Sequence, residues 1–224
     1  MNVLNKDKYL FIAYLIGAFI LSFIPVLHWP FAWLETFFHE ISHGLAALLT
    51  GGSINRIEIY FNGAGRCYTT GGWNGLISFS GYLGASLWGA AIYIFANSSH
   101  SNNKWVAIVM AGFVALCGLL WARNGITIII LSIISISLYL SFRYVIGNIF
   151  PRFMEFVGIY VMVNAFRSPL NLVDGRHYGD GATLADLSYL PELFWVGVWW
   201  MCAAGLIYLI WYFHNMQLSE PASG

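Results

Sequence analysis

Long apolar runs dominate this sequence and limit what it can fold into. An apolar helix needs about 20 residues to cross a hydrocarbon core about 30 Å thick. Trp and Tyr residues gather near the ends of the runs, where amphipathic rings sit at the level of lipid headgroups. The sequence therefore predicts an all-α polytopic membrane protein with about six or seven transmembrane helices. The candidate segments are residues 9–27, 30–50, 73–96, 105–122, 126–142, 153–170 and 193–214.

The composition excludes other classes of protein. Hydrophobic residues make up 59% of the chain and charged residues only 9%, whereas an average soluble domain is about 25% charged. The 10 basic and 10 acidic residues balance, which excludes a disordered chain, because disorder needs low hydrophobicity and high net charge. No basic stripe is present to neutralise phosphates, so we expect the lipid bilayer, and not nucleic acid, as a partner.

One segment interrupts the helical pattern. We interpret residues 1–224 as a single integral membrane domain, and residues 51–72 as a β-hairpin insertion within it. Strand-forming residues flank Asn62-Gly63, which is a strong signal for a tight turn. This segment is too polar to cross a bilayer, and an open sheet edge cannot face lipid. We therefore expect a small β-hairpin at the membrane surface.

Prolines mark the places where several helices begin or end. Pro30, Pro151 and Pro191 each stand near the first turn of a predicted helix, where the missing N–H costs nothing. Pro169 comes near the end of the sixth apolar segment and is followed by residues rich in Asp, Asn and Gly. We expect the helix to break there into a polar loop over residues 171–191.

The second apolar segment contains His39-Glu40-Ile41-Ser42-His43, an H-E-x-x-H pattern. On a helix, this spacing puts His39 and His43 one turn apart on the same face, where both rings can bind one metal ion. Glu40 can then act as the general base for the attacking water, whose pKa zinc lowers to about 7. Imidazole and carboxylate side chains cost free energy near the middle of a bilayer. Their presence there favours a functional role over simple hydrogen bonding to neighbouring helices.

A third metal ligand must come from elsewhere in the chain, because a catalytic zinc usually has three protein ligands and one open position. The candidates are Asp174 and Asp180, which both lie in the Asp/Gly-rich loop. Irregular polar backbone at membrane depth is tolerated when it is buried in protein or lines a wet cavity. A solvated interfacial loop with Asx turns is the alternative interpretation.

These motifs together resemble a known family. The H-E-x-x-H pattern, followed several spans later by the Asn-x-x-Asp-Gly sequence of residues 171–175, is similar to the site-2-protease class of intramembrane zinc metalloproteases. The run HEISHGLAALLTGG at residues 39–52, the hairpin, and the Gly-Tyr-Leu-Gly run at residues 81–84 look like the compact bacterial subgroup of that class. The resemblance implies a protein of the bacterial cytoplasmic membrane that cuts peptide bonds in or next to transmembrane segments of other membrane proteins.

The resemblance also implies roles for individual residues. His39 and His43 become zinc ligands, Glu40 becomes the catalytic base, and Asp174 becomes the third ligand, with Asp180 as the alternative. Residues 171–191 then form the active-site loop. Proteases of this class can add an unfolded substrate to a sheet edge. The candidate substrate contacts are therefore Ile57, Ile59 and Asn171.

Two other functions remain possible from the sequence. The first is a non-catalytic membrane chaperone or regulator that retains the protease fold, against which the intact H-E-x-x-H pattern argues. The second is a metal or proton transporter, which would string ionisable residues along several spans. In this sequence those residues concentrate in one helix and one loop, which favours the protease.

Overall fold

The computed structural model describes residues 3–97, 103–144, 149–173 and 175–219. Helices make up most of this part of the chain. They are α1 (Val3–Leu21), α2 (Pro25–Leu49), α3 (Asn74–Asn97), α4 (Asn103–Trp121), α5 (Gly125–Tyr144), α6 (Ile149–Arg167), α7 (Asp180–Ser188) and α8 (Glu192–Ser219). Two strands, β1 (Ser53–Ile59) and β2 (Gly65–Thr70), form an antiparallel sheet, and a short 3-10 helix (Ser168–Leu172) continues α6.

Most of these helices are suited to a bilayer. Four spans among the described residues are long and apolar enough to cross a membrane: α3, α5, α6 with its 3-10 extension, and α8. The pair α1 and α2 passes the same test only together and is bent by 108°. The apolar part of α4 is shorter, at Trp105–Trp121. The predicted all-α membrane fold is confirmed, and these four or five spans together with α4 agree roughly with the expected number.

The break between α1 and α2 divides the first predicted segment. Ile24 is extended, with φ −104° and ψ 97°, as expected for a residue that precedes a proline. Pro25, and not Pro30, occupies the first turn of α2, and Pro30 lies inside the helix. The sequence could not show this break, because the apolar composition continues across it.

α3 packs against both α2 and α6. It approaches α6 most closely where two glycines meet. A Cβ added to Gly89 on α3 would lie 2.8 Å from the carbonyl oxygen of Gly158 on α6, and a Cβ added to Gly158 would lie 2.7 Å from that of Gly89. Small residues allow such close contact between helices in a membrane, where packing drives association. α3 is therefore held at a fixed distance from α6.

The predicted hairpin is confirmed, with Ile59 opposite Gly65 next to the turn. It runs back along α2 instead of projecting away from the helices. The Trp33 indole N–H donates to the carbonyl oxygen of Phe61 (3.1 Å), and the Thr36 hydroxyl donates to that of Gly63 (2.7 Å). The sheet therefore lies beside the helix that carries the H-E-x-x-H pattern, while its position at the membrane surface stays a prediction.

The polar stretch over residues 171–191 is more ordered than the expected loop. As predicted, the α-helix ends close to Pro169, which lies in the 3-10 helix that follows α6. Residues 180–188, however, form the helix α7. Gly179 precedes α7 with φ +101°, a conformation that favours glycine, and Tyr189 ends it in the left-handed region. Apolar residues within DGATLADLS are buried, which supplies the tertiary contacts that so short a helix needs.

We expect Gly158→Val to lower the melting temperature of the detergent-purified protein, because the added atoms would collide with the backbone of Gly89 and Tyr93. Overpacking of this kind costs about 1–3 kcal/mol. The matched control is Gly112→Ala on α4, where nothing lies within 4 Å of the added Cβ. Equal melting temperatures for the two variants, measured by thermal unfolding, would contradict the close α3–α6 contact.

Candidate metal centre

The two histidines of the H-E-x-x-H pattern face each other on α2. Their Nε2 atoms are 2.9 Å apart. The Nδ1 atom of His43 lies 2.6 Å from the carbonyl oxygen of Ile77 on α3, to which an Nδ1–H group donates. This bond leaves a lone pair on Nε2 of His43 and fixes the orientation of the ring, which is how metal-binding histidines are usually held.

Asp180, the first residue of α7, completes a cluster with these histidines. Its Oδ2 atom lies 3.2 Å from Nε2 of His39 and 3.3 Å from Nε2 of His43. We call these three residues the His-His-Asp cluster. It is the one group of three or more His, Cys, Asp or Glu residues that could hold a metal ion within the described ranges. Asp174, the other candidate ligand, lies outside the described residues.

The spacing of the cluster fits a tetrahedral metal ion. Ligand atoms about 2.0–2.1 Å from zinc are about 3.3 Å apart when the angles are tetrahedral. The three donor atoms of the cluster are separated by 2.9, 3.2 and 3.3 Å. Two imidazoles and one carboxylate are ligands that zinc accepts, and they leave a fourth position open.

Glu40 lies between the cluster and the hairpin. It is buried, and the backbone N–H of Cys67 on β2 donates a hydrogen bond to its carboxylate. A Cβ added to Gly65 would lie 2.6 Å from Oε1 of Glu40, so only glycine leaves room for this side chain. The strand therefore holds the carboxylate beside the histidines of the cluster.

α3 approaches the other side of the histidines. A Cβ added to Gly81 would lie 2.5 Å from Cε1 of His43 and 2.6 Å from Cε1 of His39. Gly84, one turn further along, lies against the side chain of Ser42 in the same way. From the sequence alone, Gly81 and Gly84 are known only as the ends of the Gly-Tyr-Leu-Gly run that resembles the family. The structure gives the physical reason for them, which is the space that the rings occupy.

The short helix α7 rests on α3 and α8 through a small apolar cluster. Its Leu184 packs with Tyr82, Val196 and Trp199. The ring centroid of Tyr82 also lies 4.4 Å from that of His39, edge to face. Sequence reasoning missed Tyr82 as a neighbour of the site, because nothing local in the sequence indicates that α3 meets His39.

The segment before Asp180 is held from two sides. Tyr178 accepts a hydrogen bond from Arg66 on β2, and His177 Nε2 lies 2.9 Å from Oδ1 of Asp186 on α7. The hydrogen bond to Asp186 raises the pKa of His177. Both members of this second pair are mostly exposed, and exposed ion pairs contribute little to stability.

The predicted substrate contacts have the following places in the structure. Ile57 and Ile59 are fully buried in the core. The outer edge of β1 is occupied, because Ile57 forms a bridge with Ala122 and the N–H of Ile59 donates to the Thr127 hydroxyl (2.9 Å). This placement does not leave β1 free to pair with a substrate. Asn171 is exposed in the 3-10 helix.

We expect Gly81→Ala to weaken zinc binding by about tenfold or more, the usual cost of disturbing groups around a metal ligand. The added Cβ would displace both imidazole rings. The control is Gly197→Ala on α8, where the added Cβ meets nothing within 4 Å. The dissociation constant can be measured by competition with a coloured chelator. A wild-type value for Gly81→Ala would contradict the contact between α3 and the histidines.

Comparison with known proteins agrees with this geometry. No curated protein and no solved structure gives a significant match. The chain does match the Peptidase M50B-like family over residues 11–210, a range that includes the His-His-Asp cluster and Glu40. The match confirms the resemblance to the site-2-protease class of membrane metalloproteases. The chain therefore belongs to the Peptidase M50B-like family.

Proposed function

We propose that this protein is a zinc-dependent intramembrane protease that hydrolyses peptide bonds in or next to transmembrane segments. The observation that carries the proposal is the convergence of His39, His43 and Asp180, whose donor atoms lie within 3.3 Å of one another. Three atoms with lone pairs in a largely buried position need a shared cation or proton between them. Zinc is the ion that best matches the donor set and its spacing.

We propose Asp180 as the third ligand. The resemblance alone favours Asp174 in the Asn-x-x-Asp-Gly sequence. The distances from Asp180 to both histidines support the alternative. As the first residue of α7, Asp180 also has a fixed backbone, which a ligand in a catalytic site requires.

Glu40 acts as the general base in this proposal. When bound, zinc polarises the scissile carbonyl and lowers the pKa of the attacking water. Glu40 accepts the proton of that water and later delivers it to the leaving amine. The hydrogen bond from Cys67 and the contact with Gly65 keep the carboxylate in place through these transfers.

The substrate is a membrane protein, and its helix must unwind at the site, because a helical peptide bond is shielded by its own hydrogen bonds. We place the unwound segment next to β2 and not at Ile57 and Ile59, whose edge is occupied. β2 contacts Glu40 through both Gly65 and Cys67. An extended substrate beside this strand would therefore lie close to the base.

Two further statements stay predictions. The helices and the family indicate an integral membrane protein, and we expect the membrane to be the bacterial cytoplasmic one. We also expect residues 1–224 to work as a single membrane domain.

Metal content tests the ligand set. We expect elemental analysis of the detergent-purified protein to give about one zinc per chain. His39→Ala and Asp180→Asn should lose this zinc, because each removes one donor of the cluster, whereas Asp174→Asn should keep it. Loss of zinc in Asp174→Asn with retention in Asp180→Asn would make Asp174 the ligand. Absence of zinc from folded wild-type protein after resupply would favour the non-catalytic chaperone or regulator.

Proteolysis tests the role of Glu40. We expect Glu40→Gln to keep its zinc and to cleave fluorescein-labelled casein, an unfolded general substrate, at least about 100-fold more slowly, because a general base contributes about 10²–10⁴-fold. The matched control is Glu58→Gln on β1, where the carboxylate pairs with Arg56 away from the cluster. Zinc-loaded Glu40→Gln protein that cleaves at the wild-type rate would exclude Glu40 as the base.

A further inference from the structure

Glu192, the first residue of α8, has its carboxyl group packed against the residue that follows Asp180. A Cβ added to Gly181 would lie 2.6 Å from Cγ of Glu192 and 2.7 Å from its Oε1. Oε1 is buried and has no hydrogen-bond partner within the described residues. A buried carboxylate oxygen without a partner is costly, so its position next to Gly181 calls for a favourable interaction.

The first turn of α7 offers a favourable charge interaction to this carboxylate, without a hydrogen bond to Oε1 from the described residues. The first N–H groups of a helix have no partner within the helix, and together they form the positive end of its dipole. In α7 the residue before the helix is Gly179, which has no side chain to cap these groups. The backbone N–H of Thr183 donates to the carbonyl oxygen of Gly179 (3.0 Å) and is the first to have a partner within the helix. The N–H groups before Thr183 have no such partner, and a negative charge near them is favourable.

Asp180 cannot serve as this anion while it binds metal. Its carboxylate faces His39 and His43. Glu192 supplies a second carboxylate to the same turn from a different helix. α8 also holds the other end of α7, since the indole N–H of Trp195 donates to the Ser188 hydroxyl (3.1 Å).

We propose that Glu192 is a positioning residue, which stabilises the first turn of α7 and thereby holds Asp180 in place as a metal ligand. The inference rests on the proposed function, because it requires Asp180 to be a ligand. Glu192 acts through the backbone of Gly181 and does not touch the metal. Gly181 is needed for this contact, because a side chain at position 181 would displace the Glu192 carboxyl group from the first turn of α7.

The zinc dissociation constant of the full-length protein, measured by chelator competition, tests this role. We expect Glu192→Gln, which keeps the size of the side chain and removes its charge, to weaken zinc binding by about tenfold or more. Gly181→Ala should weaken it similarly. The matched control is Glu58→Gln on β1, the same change of side chain at a carboxylate that pairs with Arg56, and it should bind zinc like wild type.

Cobalt substitution separates positioning from general stability. We expect the visible absorption spectrum of the Co²⁺-loaded Glu192→Gln protein to differ from that of wild type, while the melting temperature of the metal-free protein stays the same. An unchanged spectrum with a lowered melting temperature of the metal-free protein would overturn the proposal, because Glu192 would then serve only the fold.

Asp180→Asn distinguishes failure of this inference from failure of the proposed function. If Asp180→Asn loses zinc while Glu192→Gln binds it with wild-type affinity, only the role of Glu192 is refuted. If Asp180→Asn retains wild-type affinity, Asp180 is not a ligand and the role of Glu192 is refuted with it, while the proposed function fails only if His39→Ala also retains wild-type affinity. In the expected result, Asp180→Asn loses zinc and Glu192→Gln weakens zinc binding, because Glu192 acts through Asp180.

Discussion

The convergence of three lone-pair donors in a largely buried position is the interaction on which the rest of the structure depends. His39, His43 and Asp180 bring their donor atoms within 3.3 Å of one another, and such groups repel unless a metal ion or a proton lies among them. Each neighbouring element contributes to holding them there. α3 orients His43 through the carbonyl oxygen of Ile77, β2 holds Glu40 through Cys67, and α7 presents the carboxylate.

A polar site among apolar helices must also satisfy the polar backbone that builds it. The hairpin meets this requirement by packing along α2 instead of standing alone. Its turn accepts hydrogen bonds from Trp33 and Thr36, and its first strand bonds to Thr127 on α5. Non-helical backbone near lipid is tolerated only where protein or water satisfies it. The same contacts that satisfy the hairpin backbone therefore bring β2 to the Glu40 carboxylate.

The sequence predicted local features well and long-range ones poorly. The H-E-x-x-H spacing puts His39 and His43 on one helix face, with Glu40 next to His39, because helix geometry alone relates residues four apart. The third ligand could not be chosen in this way, since Asp174 and Asp180 both stand in Asp-Gly pairs and only the path of the chain distinguishes them. The sequence likewise indicates a loop where the structure has α7. The stability of this helix comes from contacts with α3 and α8, which local sequence does not show, and not from its own nine residues.

Glycines show why packing space matters as much as ligand chemistry here. Gly81 on α3 leaves room for the two histidine rings, Gly65 on β2 leaves room for Glu40, and Gly181 on α7 leaves room for Glu192. Each of these glycines belongs to a different element, and each lies against a His or Glu side chain of another element. A larger residue at any one of them would move a functional group without altering its chemistry, and catalytic groups misplaced by about 1 Å lose about 100-fold in rate. The chemistry of the His, Glu and Asp side chains alone therefore does not define the site, because a side chain at any of these three positions would displace a His or Glu side chain of a neighbouring element.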